Sequence, residues 1–241
     1  AGGNDTLYSM VSGTKGMNVI APTWFSMTDE YGAFRSFATA DYVTTAHNMG
    51  LQVWGVLDNF NYANENGISI STLNMLSSTT ARQTLVQNVT DTAVSLGLDG
   101  INVDFEQLSS DCGPHYVEFL RELSIQCRNK GLVLSVDNYV PFNFNDYYRL
   151  DIQGQVADYV IIMGYDEHWH GSKDPGSVAS IGYVSDGLDR TLQEVPANKV
   201  VNALPLYTIL WKTEGTDVTD EYITMRNEAE FMSRAGVTAE R

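Results

Sequence analysis

Apolar residues along the chain fall into two kinds of segment that alternate. Short runs rich in Val, Ile, Leu and aromatic residues predict strands over Met17–Phe25, Leu51–Leu57, Gly100–Glu106, Leu132–Tyr139, Tyr159–Tyr165 and Val200–Tyr207. Between them, apolar positions at helical spacing predict helices over Ala40–Met49, Ala81–Leu96, His115–Asn129 and a segment around Val184–Glu194. A glycine or an acid precedes several strands, as at Gly16, Gly50, Gly131 and Asp158. Repeated αβ order requires a parallel sheet with right-handed crossovers. Polar and aromatic residues gather at the C-terminal ends of the strands: Trp24-Phe25, Asp58-Asn59, Glu106, Asp137-Asn138, Tyr165-Asp166 and Tyr207. That distribution predicts an α/β fold of the (β/α)8 barrel type, whose sites are built at that face. A doubly wound sheet is the alternative, weakened because no glycine-rich phosphate loop follows any strand.

Six strand-like runs fall short of the eight or so that close a barrel. The expectation is a single domain over residues 1–241, incomplete at both ends, with the first and last barrel strands missing. Residues 212–241 are charged and read as the start of an insertion or a helical segment with no further strand. Open sheet edges would invite self-association, and a site lacking one wall would be weakly active or inactive.

Gly100–Glu106 carries the densest chemistry. Side chains alternate along a strand, so Asn102, Asp104 and Glu106 share one face and Ile101, Val103 and Phe105 the other. Crowding carboxylates is costly unless they are paired or share a proton, so such a face marks a reaction centre more often than a packing accident. The plainer alternative is a surface strand with a solvated polar face.

The formal charge of −16 argues against nucleic acid and anionic membranes as partners. It fits an extracellular protein acting on an uncharged or weakly charged substrate, although acidity also simply keeps proteins soluble. No run approaches the roughly 20 apolar residues of a membrane span, and no signal peptide is visible at Ala1. Cys112 and Cys127 lie at the start and towards the end of a helix read over Pro114–Lys130. They stand about 20 Å apart, too far for a disulfide, which needs Cα atoms within about 7 Å. Both thiols are expected free. No metal and no cofactor are expected: no Cys or His sits at ligand spacing near Cys112 and Cys127, and Asp58-Asn59-Phe60-Asn61 lacks the Gly and bidentate Glu of a calcium loop.

Asp99-Gly100-Ile101-Asn102-Val103-Asp104-Phe105-Glu106 resembles the D-G-x-D-x-D-x-E signature of glycoside hydrolase family 18, the chitinase-like barrels, with Asn102 where the family usually has its middle Asp. Met163-Gly164-Tyr165-Asp166, two strands later, is similar to that family's M-x-Y-D. Pro22-Thr23-Trp24-Phe25, Tyr165-Asp166-Glu167-His168-Trp169 and Leu204-Pro205-Leu206-Tyr207 resemble the bacterial branch of spore-cortex-lytic and spore-germination enzymes. The resemblance implies a retaining hydrolase of β-1,4 bonds in N-acetylglucosamine-containing polysaccharide, peptidoglycan or chitin. It implies Glu106 as the acid, Asp104 holding the acetamido N–H and stabilising an oxazolinium, and Tyr165 donating to the acetamido oxygen. Asn102 cannot ionise; it is expected to donate its amide to Asp104 and keep it anionic. The rival readings are a non-catalytic sugar-binding barrel, which would typically lose the acid, and an inactive fragment of the enzyme.

Other residues follow from position. Met163, Asp166 and Tyr207 are expected to contact substrate, as is Asp99; a helix N-cap is the alternative for Asp166 and a capping aromatic for Tyr207. Trp169 is the leading candidate for stacking on a sugar ring, with Trp24 and Trp211 weaker; burial in the core is the alternative for each. Trp54, in mid-strand, reads as core. Asp137 and Asn138 are candidates for the floor of the site. His168 and His170 flank Trp169 at a spacing that could bind a metal, but loop histidines are commonly polar surface.

Overall fold

Parallel strands dominate the computed structural model, which describes residues 6–60, 67 and 69–236. In chain order the strands are β1 (Val19–Ile20), β2 (Thr23–Met27), β3 (Phe34–Ser36), β4 (Gln52–Asp58), β5 (Gly100–Asp104), β6 (Val133–Tyr139), β7 (Tyr159–Met163) and β8 (Val200–Ala203), followed by β9 (Tyr207–Glu214) and β10 (Asp217–Thr224). The main sheet runs β3-β2-β4-β5-β6-β7-β8, with β1 also paired to β4. Every pairing in it is parallel except β2 with β3. The helices are α1 (Leu7–Val11), α2 (Ala40–Asn48), α3 (Thr72–Ser77), α4 (Thr79–Leu96), α5 (Gly113–Lys130), α6 (Leu150–Val156), α7 (Ile181–Thr191) and α8 (Glu228–Ala235). Counting β1 and β2 as one interrupted strand, the described residues hold six parallel strands of the (β/α)8 barrel type, in the expected order.

Local chemistry sets the boundaries. The strand expected over Met17–Phe25 breaks at Ala21-Pro22, because proline has no N–H to give to a ladder; its carbonyl still accepts from Val56 N–H at 2.9 Å. The strand expected over Val200–Tyr207 stops at Ala203, ahead of Pro205, and Tyr207 opens β9 instead. Ser78 caps α4 by accepting from Ala81 N–H, and Gly97 ends it at φ 76°. Pro114 sits in the first turn of α5.

Two expectations are corrected. The first strand is not an open edge, since β3 pairs antiparallel along β2. The segment after Lys212 is not without strand: β9 and β10 form an antiparallel hairpin around Gly215, which turns at φ 63°. Apolar alternation is faint there because the hairpin buries little, chiefly Ile209 and Ile223. Residues 237–241 of the expected tail segment, and Asn61 of the rejected calcium loop, lie outside the described residues.

The core is uneven. A large cluster lies between the first half of the sheet and α2 to α5, with Phe105, Tyr116 and Phe119 fully buried behind β5. Phe105 stacks on Phe119 with centroids 5.3 Å apart. Behind β7 lies a smaller cluster of Val140, Leu150, Val160, Ile162 and Val195. Cys112 and Cys127 are free and buried.

Candidate active site

Register brings three carboxylates into one row. Asp58 on β4 pairs with Asp104 on β5. Val103 pairs with Val136, so the next step up β6 carries Asp137 alongside Asp104. Neighbouring parallel strands lie about 4.8 Å apart. Ser26 on β2 extends the row and donates its hydroxyl to Asp58 Oδ2 at 2.9 Å. Phe60 N–H donates to the other oxygen of Asp58 at 3.0 Å. All share one face of the sheet, while Ile101, Val103 and Phe105 are buried on the other, as the alternation predicts.

Asp104 is the least supported of the three. Its Oδ1 is buried without a hydrogen-bond partner, as is Asn102 Oδ1. Burial first, then the charges of Asp137, Glu106 and Asp58, push its pKa up to about 7. Asp137 is pushed up to about 6 by burial, opposed by a hydrogen bond from Asn102 and helped by the Glu106 charge. Here the expectation for Asn102 is corrected. Its amide does not go to Asp104; it donates to Asp137 Oδ1 at 3.0 Å and to Ser135 Oγ at 2.9 Å. Both acceptors stand on β6, one strand away, whereas Asp104 lies two residues along the same strand.

Glu106 lies just beyond β5, clamped through its own backbone. Its N–H donates to Asn59 Oδ1 at 3.0 Å, and its carbonyl accepts from Asn59 Nδ2 at 2.9 Å. The side-chain amide of Asn59 thereby continues the β4–β5 ladder one step past its end. The Tyr139 hydroxyl donates to Glu106 Oε2 at 2.7 Å, and Gln107, at φ 53°, turns the chain away.

Tyr165 follows β7 and is half-buried. Burial, then the charges of Asp137, Asp104 and Glu106, push its hydroxyl pKa well up, so it remains a hydrogen-bond donor. Asp166 takes a left-handed φ of 57° and accepts from the Tyr207 hydroxyl. A cleft of about 360 Å³ joins Glu106, Tyr139, Met163, Tyr165, Asp166 and Trp169. Trp169 is 57% exposed, with its ring free to meet a ligand.

The structure thus gathers Asn102, Asp104, Glu106, Met163, Tyr165, Asp166 and Trp169 at one end of the sheet, with Tyr207 joined through Asp166. Three site expectations fail. Asp99 sits at the opposite end of β5, where its Oδ2 accepts from Val53 N–H at 2.7 Å and contacts His47 Nε2 at 2.8 Å; it ties β4 to β5 and is far from the cleft. Trp24 is 3% exposed and packs edge-on against Tyr42 of α2, so its face is closed to a sugar. Asn138 also points away, exchanging hydrogen bonds with Gln153 of α6. Trp54 is buried against Tyr159, and Trp211 donates to Gly176 O at 2.8 Å. His168 Nδ1 bonds Asp174 O, and His170 pairs with Asp220 of β10. Asp58 and Asn59 join this cluster with no role assigned to them beforehand, and Tyr139 joins it unexpected. Asp58-Asn59 was visible as a polar pair at a strand end, and Tyr139 lies two residues beyond Asp137, on the same face.

Residues 63–240 match the family described as Glycosyl hydrolases family 18. Among curated proteins, the chain is 28% identical over 203 residues to the uncharacterized glycosylase YvbX of Bacillus subtilis, covering 81% of this chain and 58% of that one. It is 29% identical over 147 residues to the cortical fragment-lytic enzyme of the same organism, covering 57% of this chain and 33% of that one. The chain therefore spans between about a third and three fifths of the curated relatives it matches. Among solved structures, the chitinase of Chromobacterium violaceum superposes with a TM-score of 0.77 at 26% identity, over 96% of this chain and 72% of that one.

Proposed function

This chain belongs to glycosyl hydrolases family 18, and from that premise we propose that it hydrolyses β-1,4 bonds in an N-acetylglucosamine-containing polysaccharide, peptidoglycan or chitin, with retention of configuration. The observation that carries this reading is that Asp104 and Glu106 rise from a single wall, two residues apart. Most glycosidases flank the scissile bond with carboxylates on opposite sides, about 5–10 Å apart. Two acids on one wall leave the nucleophile to the substrate, and an N-acetyl sugar carries one in its acetamido oxygen.

Glu106 gives its proton to the leaving glycosidic oxygen as the C1–O bond breaks. The acetamido oxygen bonds to C1, forming an oxazolinium. Asp104 accepts the acetamido N–H and offsets the positive charge. Tyr165 donates to the acetamido oxygen and orients it. Water then attacks C1, passing a proton back to Glu106 and opening the ring, so two displacements restore the original anomer. Tyr139 occupies Oε2 of Glu106, which leaves Oε1 for the transferable proton. Trp169 offers a stacking face, and Met163, Asp166 and Tyr207 line the approach.

The relatives named as cortical fragment-lytic enzymes support action at the bacterial cell wall or spore cortex. Among the described residues no helix is long and apolar enough to cross a membrane. The test is incubation with chitopentaose and with peptidoglycan fragments, reading the first-formed anomer by NMR. The β-anomer is expected. The α-anomer would overturn the mechanism, and binding without cleavage would favour a non-catalytic sugar-binding barrel.

A further inference from the structure

We propose that Asp104 and Asp137 share one proton across strands β5 and β6, and that Asp137 takes it from Asp104 when a substrate acetamido N–H docks on Asp104. This rests on the function proposed above, which needs Asp104 as an acceptor at the moment of attack.

Three observations point this way. The row Asp58, Asp104, Asp137 sets like charges on adjacent strands, and such groups do not all ionise together. Asn102, at 1% exposure, directs its amide to Asp137 and leaves Asp104 Oδ1 buried without a partner. In the free chain that asymmetry favours the anion on Asp137 and the proton on Asp104.

The facing groups leave Asp137 as the acceptor. On β4, Asp58 is already held by Ser26 and Phe60. On β5, residue 102 is an amide that cannot ionise. Glu106 must keep its own proton for the leaving group. On β6, Ser135 is held by Asn102 and Tyr139 by Glu106. The β7 neighbour of Asp137 is the apolar Ile161, and Tyr165, beyond β7, is a donor with a raised pKa. When an acetamido N–H docks on Asp104, it stabilises the Asp104 anion. The O–H bond on Asp104 then breaks and one forms on Asp137, with no change in net charge. Asp137 is in this sense a positioning residue: it sets the charge of Asp104 without touching the sugar.

The test is carboxyl-carbon NMR of the full chain labelled at aspartate, titrated from pH 3 to 9. In the wild type, the Asp104 and Asp137 signals should each show two coupled steps, near about 6 and about 7. Asp137→Asn should leave Asp104 with a single step at lower pH. Independent one-step curves in the wild type overturn the proposal even if the variant folds poorly, and so does an Asp104 step that does not move in the variant. Adding chitotetraose to Glu106→Gln at pH 6.5 should shift Asp104 towards ionised and Asp137 towards protonated; bound sugar with Asp137 still ionised also overturns it. Coupled steps in a chain that neither binds nor cleaves N-acetylated oligosaccharides would instead remove the functional reading and leave the shared proton standing.

Discussion

The two sides of the cleft are built differently. On the β4–β6 side, the chemical groups stand in or just beyond the strands, backed by the large core, and Asp58, Asn59 and Asn102 are all at most 4% exposed. On the β7–β8 side, Tyr165, Asp166, Trp169 and Tyr207 follow the strands on loops or the hairpin, backed by the smaller cluster. The difference assigns labour. Carboxylate pKa values move where water is excluded and neighbours are fixed, so under the proposed function the proton chemistry falls to the first side. Recognition of a sugar tolerates exposure and adjustment, so it suits the second.

The largest effect should come from breaking the first side at its acid. Glu106→Gln keeps the shape and removes the transferable proton, so turnover of chitooligosaccharides should fall at least about 10²–10⁴-fold. Binding measured by calorimetry should change by no more than a few fold. A variant with parental turnover would remove Glu106 from its role.

The same side should also make stability depend on pH. Asp104 and Asp137 have folded pKa values near 7 and near 6, above about 3.9 for an unfolded aspartate. Their stabilisation is therefore complete below about pH 4 and is lost as pH rises through 6 and 7. Between pH 5 and pH 8 the loss should be on the order of a few kcal/mol. Thermal melts should show a lower Tm at pH 8 than at pH 5, and Asp104→Asn should flatten that slope. A melting temperature that rises steadily over that range would contradict the burial of this row.

Next in size is Asn59→Ala. The variant strips two hydrogen bonds from the Glu106 backbone, leaving polar groups unsatisfied at a cost of about 1–3 kcal/mol. Chemical denaturation should report that loss, and kcat should fall because the acid's carbon frame is no longer held. Unchanged kcat would mean that Tyr139 alone positions the carboxyl.

How much of this was readable in advance follows the same division. The parallel order, the main helices and the row Asn102, Asp104, Glu106 were legible because buried strands and helices repeat at fixed periods. The expectation for Asp99 fails because motif membership says nothing about which end of a strand a residue occupies. For Trp24 the core alternative holds, because its exposure depends on α2, which no local pattern specifies. The Asn102–Asp137 bond and the Asn59 clamp join residues 35 and 47 positions apart; they depend on register between strands, which a single strand's alternation does not encode. The β9–β10 hairpin escaped because its faces are mostly polar, so the apolar period that marks a strand is faint.

The smallest effect belongs to the recognition side. Tyr207→Phe removes the hydroxyl that donates to Asp166 but keeps the ring that packs edge-on against Tyr165, at 6.4 Å, and Tyr222, at 5.3 Å. Tyr207 is half-exposed and Asp166 exposed, so water can replace the lost donor, and a hydrogen bond of this kind is worth about 0.5–1.5 kcal/mol net. The expected result is a KM raised by about 2–10-fold, with kcat and its pH profile unchanged, because in the proposed mechanism Asp166 only orients the sugar. Steady-state kinetics on chitooligosaccharides across pH 5 to 8 would decide it. A fall in kcat as deep as that of Glu106→Gln would erase the division between the two sides. A shift in the acid limb of the profile would extend the proton network across the cleft to Asp166.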